Sequence, residues 1–165
     1  MRTLGIDPGL SGALALLGPE IEIFDIPTVQ RVVAGKNKRQ LDAHALAAWL
    51  EIHSSRIANA VIERVGAMPG QGVTSSFSFG WTAGSIYQAC CSAGIKVEFV
   101  APVVWKRKFG LLGQGKDASR AEASRRFPRS SHLWSRAKDD GRAEAALLAL
   151  YGSLMDVPEN YGGSQ

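Results

Sequence analysis

Four carboxylates stand where apolar segments of the chain would present them for metal chemistry. Asp7 closes the otherwise apolar run Thr3-Leu4-Gly5-Ile6-Asp7, just ahead of Pro8-Gly9, and Glu63 closes Ala58-Asn59-Ala60-Val61-Ile62-Glu63. Asp140 and Glu144 flank the start of the last helical pattern. Their four-residue spacing puts them roughly 40° apart around a helix axis, on one face. An acid within an apolar strand is costly to desolvate unless a cation compensates it. Mg²⁺ is the natural partner, being hard and oxygen-seeking, with Mn²⁺ able to substitute. The chemistry such a set can do is two-metal phosphodiester hydrolysis, with ions roughly 4 Å apart clamping the scissile phosphate. Asp7 would bridge the ions, with Glu63 on one side and Asp140 and Glu144 on the other. Each acid also has a plainer role open to it. Asp139 or Asp140 can cap the final helix, Glu144 can be an exposed helical residue, and Asp7 can open an Asx turn.

Charge is distributed to match. The chain totals +4 with a pI near 9.3, yet between Val103 and Lys138 ten bases face only Asp117 and Glu122. That third carries +8 and the remainder −4, the pattern expected when phosphates are held beside reacting carboxylates. Lys106, Arg107, Lys108, Lys116 and Arg120 belong to the basic segment. Lys36, Lys38 and Arg39 form a second basic group within a Gly-containing connection. All eight are candidate DNA contacts, and Lys106 and Lys116 can also neutralise charge at the phosphate.

The elements that must position these groups follow from pattern. Residues 3–7, 13–17 and 21–26 read as strands separated by Pro-Gly and Gly-Pro turns, an antiparallel meander. Asp42 is a candidate N-cap for a helix over 43–54, with Leu46, Trp49, Leu50 and His53 on one stripe. A buried strand over 58–63, a helix over 75–92 stopped by Gly94, and a strand over 96–100 come next. Three helical stretches, 104–111, 117–127 and 141–154, complete a mixed sheet with helices on both faces. One domain over 1–156 and a polar, Gly-rich tail over 157–165 are expected. Cys90 and Cys91 are adjacent, too close for an unstrained disulfide, and read as reduced packing residues. No stretch is apolar enough to span a bilayer, and the opening lacks a signal-peptide core, so a cytoplasmic protein is expected.

Gly5-Ile6-Asp7-Pro8-Gly9-Leu10-Ser11-Gly12 resembles the opening of RuvC-type Holliday junction resolvases, and Val61-Ile62-Glu63 resembles their second acidic strand. Asp140-Gly141-Arg142-Ala143-Glu144-Ala145 is similar to their C-terminal acidic helix in its phage and prophage form. Pro102-Val103-Val104-Trp105-Lys106 and Gly113-Gln114-Gly115-Lys116 resemble stretches whose lysines sit near the scissile phosphate. The resemblance implies an RNase H-like α/β fold, a five-stranded mixed sheet with strands one to three antiparallel and helices on both faces. It also implies a homodimeric, Mg²⁺-dependent endonuclease that nicks four-way DNA junctions symmetrically. Phe77, Phe79, Trp81, Ile86 and Tyr87 on the second helix are candidates for a self-complementary interface or for core.

Three features depart from that pattern. The final acid is Glu144, which leaves Asp139 and Asp140 both open as its partner. The stretch Arg64-Val65-Gly66-Ala67-Met68 directly after Glu63 has no aromatic, although Met68 can wedge a base step. The loop over 67–74 is Gly-rich. A flap or branched-DNA debranching nuclease on the same scaffold, and a non-catalytic branched-DNA-binding protein, are the rival readings. An actin-like ATPase would share Gly-Ile-Asp-Pro-Gly, but it needs two such domains, so no nucleotide cofactor is expected.

Overall fold

The computed structural model describes residues 2–64, 66, 70, 72–115 and 117–155. A five-stranded sheet runs in the order β3-β2-β1-β6-β7, from β1 (Arg2–Ile6), β2 (Ala13–Leu17), β3 (Ile21–Asp25), β6 (Ile57–Glu63) and β7 (Lys96–Val100). β1, β2 and β3 are antiparallel neighbours, while β6 and β7 run parallel to β1. This is the mixed sheet expected from the sequence. A separate antiparallel hairpin, β4 (Thr28–Val33) and β5 (Lys36–Leu41), fills the connection for which the sequence pattern predicts no secondary structure. It turns at Ala34 and Gly35, both with positive φ, a two-residue turn whose twist suits paired strands.

Alternation along the strands sends side chains to two cores. Leu4, Ile6, Leu14, Leu16, Ala60 and Ile62 pack beneath α1 (Ala43–His53) and α2 (Val73–Ser92). Asp42 caps α1, its carboxylate accepting from the Ala45 N–H at 3.1 Å, and Gly94 ends α2 at φ 74°. Leu46 and Leu50 of the expected α1 stripe are fully buried, while Trp49 is half-buried and stacks on Phe24. Cys90 is buried, and burial pushes its thiol up to about 12, whereas Cys91 is exposed, against its reading as packing. The second helix splits in the same way: Ile86 is core, but Phe77 and Trp81 are exposed.

The other face carries α3 (Pro102–Lys108), α4 (Ala118–Arg126) and α5 (Asp140–Leu154), with 3₁₀ turns at Pro128–Trp134 and Ala137–Asp139. α5 lies unusually close to the sheet because both surfaces are small. A Cβ on Gly5 of β1 would overlap the Ala145 carbonyl oxygen and the Ala149 nitrogen, and would stand 2.8 Å from the Ala149 Cα. Gly152, one turn further on, would place a Cβ 2.9 Å from the Thr3 methyl carbon. This stripe of Gly and Ala lowers the N-terminus of α5 onto the end of β1. Among the described residues, no helix is long and apolar enough to cross a membrane.

Candidate active site

Strand register brings the first two acids together. β1 and β6 pair with Gly5 opposite Val61 and Ile6 opposite Ile62, so the next positions on the two strands are Asp7 and Glu63. Both continue the face that carries Gly5 and Val61, the face covered by α5. The last pair of acids arrives from above. A Cβ on Gly141 would stand 2.7 Å from Asp7 Oδ2, 2.7 Å from the Gly12 Cα and 2.8 Å from the Ser11 carbonyl oxygen, so the first turn of α5 rests directly on Asp7. Asp140 and Glu144 flank that contact and, with Asp7 and Lys106, line a cleft of about 550 Å³.

Each carboxylate has identifiable partners. Asp7 Oδ1 accepts from the Gly9 N–H at 3.3 Å, so the Asx-turn role exists alongside its place in the cleft. Glu63 Oε1 accepts from the buried Trp105 indole N–H at 2.9 Å. Glu144 Oε1 is held by Lys106 Nζ at 3.1 Å and by the Ser119 hydroxyl at 3.0 Å. Asp140 pairs with Arg120 at 2.7 Å, and Arg120 also reaches Asp117. Neither Glu144 nor Asp140 is therefore an idle surface group.

The electrostatics describe an acidic site short of positive charge. Burial pushes the Asp7 carboxyl from 3.8 up to about 7, with Glu144 and Glu63 adding repulsion against the pull of the Gly9 N–H and Lys106. Glu63 is also raised, chiefly by burial, with the Trp105 hydrogen bond opposing it. Because Asp7 titrates higher when folded, its stabilising contribution is complete below about pH 4 and is lost as pH rises towards about 7. Relative to Asp7→Asn, the metal-free protein is therefore expected to melt at progressively lower temperature across that window. A divalent cation at pH 8 should close that gap. Thermal melts of both proteins at pH 4 to 8, with and without Mg²⁺, check this.

Asp139 and Asp140, which the sequence leaves open, have different surroundings. Asp139 is buried and gripped by Arg136, whose Nε and Nη2 donate to its two oxygens at 2.9 Å, while the Arg136 backbone N–H donates at 3.1 Å. These bonds hold its carboxyl below the usual range. Asp139 faces a second cleft with Arg39, Arg136 and Arg142, which adjoins the first at Ser11 and Gly12 but is not lined by Asp7. Asp139→Asn is expected to cost about 1–2 kcal/mol of stability through weakened charged hydrogen bonds and to spare cleavage. Asp140→Asn should do the reverse, and melting curves beside junction-cleavage assays separate the two.

The structure disperses the basic candidates. Lys106 and Arg120 enter the cleft region, but Arg107 and Lys108 lie against Tyr151, Leu154 and Met155 at the opposite end of α5 from Asp140. Lys36 and Lys38 are exposed on β5, and Arg39 reaches from that strand to the Ser11 hydroxyl at 2.6 Å, tying the hairpin to the turn after Asp7. Lys116, Met68 and the tail over 157–165 lie outside the described residues. Several of the segment's bases are held by acids: Arg125 and Arg126 share Glu122, and Arg129 reaches Glu20 outside the segment. Trp105 and Ser119 are partners of the acids that sequence reasoning does not single out. Trp105 lies inside the Pro102–Lys106 motif, beside the lysine whose charge is the stronger signal; Ser119 gives no signal.

Among the described residues, no three acids, cysteines or histidines already converge closely enough to grip an ion. The donor set is nonetheless of the right chemistry for a hard cation: carboxylate oxygens around an Asp7 whose charge is disfavoured by burial and by the neighbouring Glu144 and Glu63.

No protein-family model matches the chain. It is 33% identical over 98 residues to the chloroplastic Holliday junction resolvase MOC1 of Chlamydomonas reinhardtii, a match spanning 59% of this chain and 11% of that protein. Its fold is shared with RuvC from Thermus thermophilus, solved in complex with a Holliday junction substrate, at a TM-score of 0.55 and 18% identity over 93% of this chain and 92% of that one. A second Thermus thermophilus RuvC structure superposes at a TM-score of 0.52 with 20% identity, over 93% of both chains. Sequence and fold comparisons thus agree with the RuvC-type resemblance carried by the motifs.

Proposed function

We propose that this RuvC-like chain is a metal-dependent DNA endonuclease that resolves four-way junctions, acting as a homodimer. One observation carries the reading. Asp7 and Glu63 end adjacent parallel strands on a single face, and α5 delivers Asp140 and Glu144 to the same place, beside Lys106. Asp7, Glu63, Asp140 and Glu144 would hold Mg²⁺, or Mn²⁺ in its stead. When bound, two such ions would activate water and stabilise the leaving oxygen of the phosphodiester.

The chain's own residues supply binding and orientation. Lys106 and Arg120, which pair with Glu144 and Asp140, would meet a phosphate entering the cleft. Lys116 joins them in this reading, and Met68 contacts bases near the crossover. Lys36, Lys38 and Arg39 extend the basic surface along the β4–β5 hairpin, and Arg107 and Lys108 take more distant phosphates. A homodimer gives two active sites for two strands. Exposed Phe77 and Trp81, beside an 840 Å³ cleft between α1 and α2, suit a self-complementary contact.

The test is cleavage of an end-labelled four-way junction in Mg²⁺, beside linear duplex and flap controls. Paired, symmetric, ligatable nicks in the junction are expected. Preference for flaps would move the function to branched-DNA debranching on the same fold. Tight junction binding without cutting in Mg²⁺ or Mn²⁺ would overturn the enzyme reading.

A further inference from the structure

A single turn of α3 grips two of the four acids, and they come from different elements. Trp105 is fully buried, and its indole N–H meets Glu63 Oε1 on β6 at 2.9 Å. The next residue, Lys106, meets Glu144 Oε1 on α5 at 3.1 Å and lies 5.1 Å from the Trp105 ring centroid. The turn itself is anchored. Pro102 occupies the first turn of α3, and the Arg64 N–H, directly after Glu63, donates to the Val100 carbonyl at 2.7 Å. The strand that carries Glu63 and the helix that carries Trp105 are thus fastened to the same end of β7.

An indole N–H is a donor only, has no rotor of its own and does not titrate in the working range. Buried against a carboxylate, it occupies one oxygen with a fixed direction and leaves the other for a different partner. A glutamate at a strand end has three side-chain torsions, so without such a donor its carboxylate is free to swing. We propose that Trp105 is a positioning residue for Glu63: its indole N–H holds Oε1 and so presents Oε2 to the metal ion. This rests on the metal-dependent reading above. It separates the two members of the Trp105-Lys106 pair by task, since Lys106 meets phosphate and Trp105 never does.

Trp134 supplies the internal control. It is equally buried on the same side of the sheet, and its indole N–H is satisfied by the Ser124 hydroxyl at 3.0 Å rather than by one of the four acids. Trp105→Phe and Trp134→Phe each remove a buried indole, but only the first frees Glu63. With the full chain, Mn²⁺ binding by calorimetry should weaken about 10–100-fold in Trp105→Phe, the usual cost of losing a partner that orients a metal ligand. Trp134→Phe should bind as the wild type does. Single-turnover cleavage by Trp105→Phe should fall by a similar factor at limiting Mn²⁺ and recover with excess metal, while the junction KM stays unchanged. An independent readout uses the unaltered protein. Of its four indole N–H signals, that of Trp105 should shift on Mg²⁺ addition and that of Trp134 should not. Mn²⁺ binding by Trp105→Phe as tight as the wild type's, equal losses in both variants, or an unmoved Trp105 signal at saturating Mg²⁺ would each overturn the positioning role alone. A wild-type protein that binds no Mn²⁺ would overturn the metal-dependent reading and this inference with it.

Discussion

Asp7→Asn is expected to slow junction cleavage by about a thousandfold or more, equivalent to roughly 4 kcal/mol of lost transition-state stabilisation. Its position explains the size of the effect. Asp7 stands next to Glu63 in strand register, lies under Gly141 of α5, and lines the cleft with Asp140 and Glu144. Asparagine keeps the shape and can still accept from the Gly9 N–H, so the turn should persist. What it removes is the buried negative charge that a bound cation would neutralise. Folding and metal-free junction binding should therefore survive, and the loss should appear in the single-turnover rate. A variant within tenfold of the wild-type rate would remove Asp7 from the chemistry.

Gly5→Ala is expected to cost about 3 kcal/mol of stability or more, at the upper end of what overpacking usually costs. The added carbon meets backbone atoms of Ala145 and Ala149, which cannot rotate aside as a side chain can. Either β1 buckles or α5 lifts, and a lifted α5 carries Asp140 and Glu144 away from Asp7. The variant should melt well below the wild type, and whatever remains folded should cleave poorly. Gly80→Ala is the contrast: a Cβ there meets nothing, and the substitution should leave stability unchanged or slightly raised. Comparable melting of Gly5→Ala and the wild type would mean that α5 does not lie on β1 as described.

Much of this architecture is legible in the amino-acid pattern. The strand and helix periods place β1, β2, β3, β6 and β7 within a residue or two of their observed bounds, because each is an apolar or alternating run closed by Pro, Gly or a charge. The β4–β5 hairpin escapes because it is exposed on nearly every residue, so no buried face imprints an alternation on its sequence. Its turn at Gly35, preceded by Val32 and Val33, is the available signal. The acids at positions 7, 63, 140 and 144 can be singled out one by one. Their joining cannot, since it depends on a strand register and on how low α5 sits. The choice between Asp139 and Asp140 turns on Arg136, three residues before Asp139, whose grip on that acid follows from the 3₁₀ turn between them. Summed charge misleads in part. The basic segment is real, but Arg125, Arg126 and Arg136 are spent on neighbouring acids, and Arg107 and Lys108 emerge at the far end of α5.

The claim that these four acids form one metal centre is tested most directly by anomalous scattering from crystals of the full chain grown with Mn²⁺. Peaks are expected inside the cleft, with Asp7 in contact and Glu63, Asp140 and Glu144 around it. Ordered Mn²⁺ bound only elsewhere, with that cleft empty, would contradict it.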